Sequence, residues 1–231
     1  MDLLHLGREK VLCCWQVGDV IIDPGPATCA DTLLEALGGE VPKAILLTHI
    51  HLDHAGGTGK LVEMWPDVEV WVHERGARHM IDPSKLVNSA GMLYREQMDL
   101  LWGPILPVPE ENVRVLKGGE EVPFGGGFEV MYTPGHAQHH VSYRHTPTGM
   151  AFVGDVAGVR IPPGDAVVAP TPPPDIDVEL WHASLDAVEA WNPTRLGLTH
   201  WGQVDDPTRQ IAAVRACLDD HAALARDPVS Y

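Results

Sequence analysis

Seven residues of this chain have the types and grouping of a metal-ligand set: His49, His51, Asp53, His54, His136, Asp155 and His200. Four of them fall within one run, Thr48-His49-Ile50-His51-Leu52-Asp53-His54, an H-x-H-x-D-H pattern. Imidazole and carboxylate donors suit zinc, iron and manganese, and two ions held close together need about seven protein donors. Such a pair can share a water, lower its pKa toward neutrality and present it as a nucleophile to a carbonyl or phosphoryl centre. His49 and His51 are two apart, so in an extended segment they leave the same face and can grip one ion. Asp53 and His54 lie just beyond, where a turn can aim them at a second.

The other three candidates come from separate motifs, Thr133-Pro134-Gly135-His136, Val153-Gly154-Asp155 and Leu198-Thr199-His200-Trp201-Gly202. Singly, a His after a Pro-Gly turn or an Asp after a Gly is an ordinary loop residue. Their common setting changes that weighting. All four motifs follow directly on short apolar runs, Ala44 to Leu47, Phe128 to Tyr132, Met150 to Val153 and Leu196 to Leu198, each of which reads as a buried or half-buried strand. Metal-capable residues just past the carboxyl ends of several strands are what a site built on sheet-edge loops should contain.

The H-x-H-x-D-H run, followed by G-H, G-D and T-H at these separations, resembles the metallo-β-lactamase superfamily. Upstream, Val20-Ile21-Ile22-Asp23-Pro24-Gly25-Pro26 is similar to that family's strand and Asp-x-Gly signature, so the likeness runs from about residue 13 to about residue 202. It implies an α+β, four-layer αβ/βα sandwich, with two mixed β-sheets face to face and helices on the outer faces. It further implies that His49, His51 and His136 hold one metal, that Asp53, His54 and His200 hold the other, and that Asp155 bridges them. The expected cofactors are thus two divalent ions, zinc first, with iron or manganese as alternatives. Thr133-Pro134-Gly135-His136-Ala137-Gln138-His139-His140 resembles the T-P-G-H-T-x-G-H run of the glyoxalase II-like branch, departing at Ala137 and His139. His140 therefore becomes a candidate for supporting a ligand.

The expected function is a binuclear metallo-hydrolase that sends a metal-bridging hydroxide against a small ester, thioester or lactone, with Asp53 as the catalytic group that orients the nucleophile and carries its proton. Alternatives of the same fold are a phosphodiesterase and a non-haem iron persulfide dioxygenase with one iron; a non-catalytic metal-binding module is a further one. Glutathione-binding members of the glyoxalase II branch commonly use a helical carboxyl-terminal domain, and few residues follow His200.

Composition agrees with one globular domain spanning 1–231. Asp and Glu number 32 against 16 Lys and Arg, a formal charge of -16, so a nucleic-acid partner is disfavoured and a small-molecule substrate expected. No run approaches the roughly 20 apolar residues of a membrane span, and the first residues lack a secretory pattern. Cys13, Cys14, Cys29 and Cys217 form no C-x-x-C pair. A cytoplasmic location follows as an expectation; self-association stays open.

The elements that must position the donors read as follows. Helices are expected over Thr28 to Gly39, Ala55 to Trp65, Asp177 to Trp191 and Asp206 to about Ala225, and a strand over Val68 to Val72. Residues of about 75–110, with Met80, Met92, Tyr94, Met98, Trp102 and Ile105, read as one or two helices forming a lid-like insertion, from which Tyr94 is a candidate substrate contact. The Pro- and Gly-rich stretch Ala157 to Asp175 begins just after Asp155 and carries Arg160, a candidate clamp for a substrate anion. His5, His73, His79, His145, His182 and His221 have no such context.

Overall fold

The computed structural model describes residues 1–160, 162–164 and 166–226. Strands β1 (Trp15–Val17), β2 (Val20–Ile22), β3 (Ala44–Leu46), β4 (Glu69–His73) and β5 (Val113–Leu116) form the first sheet in that order. A hairpin joins β1 to β2, and β2 to β5 run parallel. The second sheet contains β6 (Glu121–Val122), β7 (Phe128–Tyr132), β8 (Val141–His145), β9 (Ala151–Phe152), β12 (Leu196–Leu198) and β13 (Gly202–Val204) in the order β13-β12-β9-β8-β7-β6. Strands β10 (Val159–Arg160) and β11 (Val167–Val168) make a separate hairpin. The Pro- and Gly-rich stretch is therefore not wholly irregular, although its Ile161 and Asp165 lie outside the described residues.

Strand alternation sorts the apolar side chains into three layers. Val20, Ile22, Ala44 and Leu46 of the first sheet meet Phe128, Val130, Val141, Tyr143 and Phe152 of the second between the sheets. Their neighbours Ile21, Ile45, Val70 and Val72 point the other way, onto helices α1 (Ala30–Leu37), α3 (Thr58–Met64) and α4 (Glu74–Ile81). On the far side, Ala151, Leu196 and Leu198 pack under α7 (Val178–Ala190) and α8 (Pro207–Arg226) through Trp181, Leu185, Ile211 and Val214. Helix, sheet, sheet and helix thus stack as the expected αβ/βα sandwich.

Local chemistry sets the helix ends. Asp177 Oδ1 accepts the Leu180 N–H and Asp206 Oδ1 the Arg209 N–H, so both aspartates cap as the sequence predicts. Gly38 closes α1 in the left-handed region, and a 3-10 turn at Ala27–Cys29 precedes that helix. The helix expected over Ala55 to Trp65 is divided instead. A short helix α2 (Leu52–Ala55) ends at Gly56, where the Gly57 N–H donates to the Gly25 carbonyl at 2.8 Å, and α3 then begins. Asp53 and His54 consequently lie inside a helical turn rather than ahead of one. The insertion holds three helices beyond the strand expected over Val68 to Val72: α4, α5 (Ser84–Tyr94) and α6 (Met98–Leu101). No described helix is long and apolar enough to cross a membrane.

Gly135 shows how closely the outer helix seats on the loop before His136. Its φ is +136°, and a Cβ there would lie 2.3–2.5 Å from Trp181 backbone and Cβ atoms. Gly135→Ala is expected to destabilise the fold by roughly 1–3 kcal/mol, lowering Tm by roughly 2–12 °C. Gly91→Ala, within α5 and with open space around it, is expected to raise Tm slightly by removing helix-interior glycine. Thermal unfolding of both variants checks the pair, and a Gly135→Ala protein as stable as the parent would contradict the packing described.

Candidate metal centre

Strand direction brings the candidate donors to one end of the sandwich. In the second sheet β7, β9 and β12 run the same way, since β8 is antiparallel to both β7 and β9 and β12 is parallel to β9. His136, Asp155 and His200 follow their carboxyl ends, and the H-x-H-x-D-H run follows that of β3. Donor atoms of His49, His51 and His136 lie within 4.8 Å of one another, as do those of His49, His54 and Asp155 and those of Asp53, His54 and His200. All seven residues singled out in the sequence are gathered there.

Hydrogen bonds behind the cluster fix which imidazole nitrogens face it. Asp23, fully buried at the end of β2, accepts from the Thr48 N–H at 2.8 Å, the Thr48 hydroxyl at 2.7 Å, the Thr199 hydroxyl at 2.7 Å and His54 Nδ1 at 2.8 Å. The Thr48 hydroxyl is committed to Asp23, so its oxygen accepts from His49 Nδ1 at 3.1 Å. The Pro170 carbonyl accepts from His136 Nδ1 at 2.9 Å. With Nδ1 carrying a proton in each case, His49, His54 and His136 turn Nε2 inward, the nitrogen whose lone pair a cation would take.

A cation fits what those lone pairs leave unsatisfied. His51 Nδ1 lies 2.9 Å from His49 Nε2 and 3.0 Å from His136 Nε2. One proton on His51 could serve only one of those two acceptors. Three nitrogens at such spacing match an edge of roughly 3.3 Å in a tetrahedron with 2.0–2.1 Å metal–nitrogen bonds. Two further buried atoms, His54 Nε2 and Asp155 Oδ1, lack a hydrogen-bond partner and face each other at 3.3 Å. Asp155 lies between the groups: Oδ1 is 3.8 Å from His200 Nε2, and Oδ2 is 3.4 Å from His136 Nε2. Asp53 Oδ2 accepts from His200 Nε2 at 3.1 Å and is 3.8 Å from His54 Nε2. The donor set is that of a divalent-metal site.

Electrostatics divide the cluster in two. Burial, helped by neighbouring imidazoles, pushes His49 well below the ordinary histidine range and His51 down to about 3. Burial likewise lowers His136. Burial also opposes charge on His54 and His200, yet the carboxylates of Asp155 and Asp53 outweigh it and raise both. Burial resists ionisation of Asp53 and Asp155 as well, but His54 and His200 hold both below the usual carboxylate range.

The remaining candidates separate. His140 is fully buried behind the cluster, stacked 5.0 Å from His49. Its Nε2 accepts the Asp155 N–H at 3.3 Å, so Nδ1 donates to the Thr133 hydroxyl at 2.9 Å. Gly154, at φ +44°, permits this approach, because a Cβ would meet Thr48 Oγ1 at 2.5 Å and His140 Nε2 at 2.8 Å. Tyr94 lines the cleft over the cluster, held edge-on by Trp102 at 5.1 Å. Arg160 is not among the residues lining that cleft; it borders a depression with Asp205, Asp206 and Arg209, and its backbone N–H donates to the His200 carbonyl. Sequence reasoning left two residues without a role. Asp23 was visible only as part of a signature, and His139, which lines the cleft and stacks 6.0 Å from His49, only as a departure from a pattern.

Residues 18–200 match the family model of the metallo-beta-lactamase superfamily. A metallo-beta-lactamase fold-containing protein of Sulfurisphaera tokodaii, ST1585, is 31% identical over 69% of this chain and 60% of its own length. In the crystal structure of ST1585 the likeness covers 94% of this chain and 81% of that one, with a TM-score of 0.68. A hydroxyacylglutathione hydrolase of Hamiltonella defensa is 29% identical over 67% of this chain and 51% of its own length. The structure of TTHA1623 in a di-iron-bound form matches with a TM-score of 0.62 and 28% identity, over 84% of this chain and 88% of that one. The chain thus spans about a third to three fifths of the length of the curated relatives it matches. With its fold and its His and Asp cluster, the chain belongs to the metallo-beta-lactamase superfamily.

Proposed function

We propose that this enzyme is a two-metal hydrolase of small carboxylic thioesters or esters. The observation that carries the reading is the position of Asp155, one oxygen toward His54 and His200 and the other toward His136, between two groups of donors. His49, His51 and His136 would hold one ion, and Asp53, His54 and His200 the other, with Asp155 shared. Zinc is the proposed metal, and iron the alternative that the di-iron-bound form of TTHA1623 supports. Relatives named hydroxyacylglutathione hydrolase support acyl transfer to water over the phosphodiesterase alternative.

When bound, two such ions supply a strong nucleophile at neutral pH and polarise the carbonyl under attack. The chain's own residues do the rest. Asp53 is both a donor and the more exposed of the two cluster carboxylates, at 26% against 5% for Asp155, so its oxygen orients the attacking water and takes its proton. His200 and His54 hold Asp53 ionised for that task. Asp23 fixes His54 and, through Thr48, His49 in the tautomers that present Nε2. Helix α5, with Tyr94, forms one wall of the cleft, and we propose that it acts as a lid that excludes water.

Removing the shared carboxylate tests the assignment. Asp155→Ala is expected to lower the metal content from two ions per chain and to cut thioester hydrolysis by at least a hundredfold, by elemental analysis alongside an acyl-thioester assay; full activity in that variant contradicts it. Asp23→Asn is expected to weaken metal binding by roughly 10–100-fold in chelator competition, because the amide NH2 cannot accept from His54 or a hydroxyl. Metal loss should also follow pH. His54 and His200 regain protons at higher pH than His49, His51 and His136, so occupancy is expected to fall from two ions to one and then to none as pH falls. In His200→Ala the step at higher pH should be missing, and a single joint step in the parent protein would speak against two distinct groups.

A further inference from the structure

We infer that the cleft takes an apolar straight-chain acyl group attached to an uncharged leaving group, and selects against thioesters of anionic thiols. This specificity rests on the hydrolase reading above. Helix α5 buries none of its residues in the fold. A surface helix ordinarily lays its apolar stripe on the core. Here Leu86 packs in part against the core, and with Ser89, Ala90, Leu93 and Tyr94, spaced as one helical face, it lines a cleft of about 470 Å³ above the metal-capable cluster. The lining also includes Pro170, Pro172, Pro173 and Pro174, which have no backbone N–H to offer a carboxylate.

Charge points the same way. Outside the cluster, Asp175 is the one charged side chain among the described residues lining the cleft, and no Lys or Arg is among them. A leaving group with free carboxylates, such as a tripeptide thiol, would meet Asp175 and no cation. A methylene chain would meet Leu86, Ala90, Leu93 and proline rings. The wall is also prearranged: Trp102 holds Tyr94 edge-on and stacks at 5.7 Å on His5, whose Nε2 bonds the Leu101 carbonyl at 2.9 Å. Leu93 sits at the rim with 69% exposure, so polar replacement there leaves the core untouched.

The test is a chain-length series of acyl thioesters, acetyl to hexanoyl, on N-acetylcysteamine as the neutral thiol and on glutathione as the anionic one, with the metal-loaded full chain. The kcat/KM on the neutral thiol is expected to rise about fourfold per added methylene, the gain from burying one, and to exceed that of the glutathione partner at each length. Leu93→Arg is expected to flatten the series and shift preference toward glutathione, whereas Leu100→Ser, on α6 and outside the cleft lining, leaves the slope in place. Calorimetry with non-hydrolysable ketone analogues of the same lengths supplies a readout independent of turnover: affinity should rise with length, with a more negative heat-capacity change. Turnover with a flat series or a preference for glutathione overturns the specificity and spares the hydrolase reading. No turnover of any thioester or ester, with length-dependent ketone binding, overturns the hydrolase reading and retains the apolar subsite; length-independent ketone binding overturns the subsite.

Discussion

The Asp23 carboxyl group joins parts of the chain that are far apart in sequence at one buried point. It sits at the end of β2, takes two hydrogen bonds from Thr48 beyond β3, one from Thr199 beyond β12 in the opposite sheet, and one from His54 in α2. A buried carboxyl needs such partners, because an unsatisfied one would cost several kcal/mol. Meeting that need registers the two sheets against each other at the edge where the donors emerge. It also decides two imidazole tautomers, directly at His54 and through the Thr48 hydroxyl at His49. Orientation of the inward lone pairs is therefore a consequence of packing, set before any ion arrives.

The same economy governs the second tier. The Pro170 carbonyl holds His136, and His140 accepts the Asp155 N–H while donating to Thr133. Each group behind the cluster thus constrains one that faces it. The result is an uneven field: neutral imidazoles on the side of His49, His51 and His136, and carboxylates paired with charge-prone histidines on the side of Asp53, Asp155 and His200. That unevenness separates a nitrogen-rich grip from a side able to handle protons, while the cleft above adds apolar walls in place of charge.

Much of the site was legible in the sequence because its chemistry is concentrated. Four donors within the run His49 to His54 leave few structural alternatives, and the loops of His136, Asp155 and His200 betray themselves by following short apolar strands. The helix ends at Asp177, Asp206 and Gly38 were legible for the same local reason, since caps act within a few residues. What was not legible depends on contacts distant in sequence. The break at Gly56 and Gly57 arises where Gly25 takes a backbone bond, so periodicity alone runs the helix through. The hub role of Asp23 needs Thr199 beside it, and nothing local to residue 23 announces that. That Ala90, Leu93 and Tyr94 of α5 line a cleft depends on tertiary structure, and Arg160 reads as a clamp until it is found lining a depression with Asp205 and Asp206 and not the cleft.

The central claim is that donors from four strand ends enclose a pair of cations with Asp155 between them. X-ray absorption at the metal edge of the purified, metal-loaded protein measures this most directly. The account predicts a histidine-rich shell together with a metal–metal vector of about 3.5–4 Å, and loss of that vector in Asp155→Ala. A histidine shell without any metal–metal vector, from protein carrying one ion per chain, would contradict it.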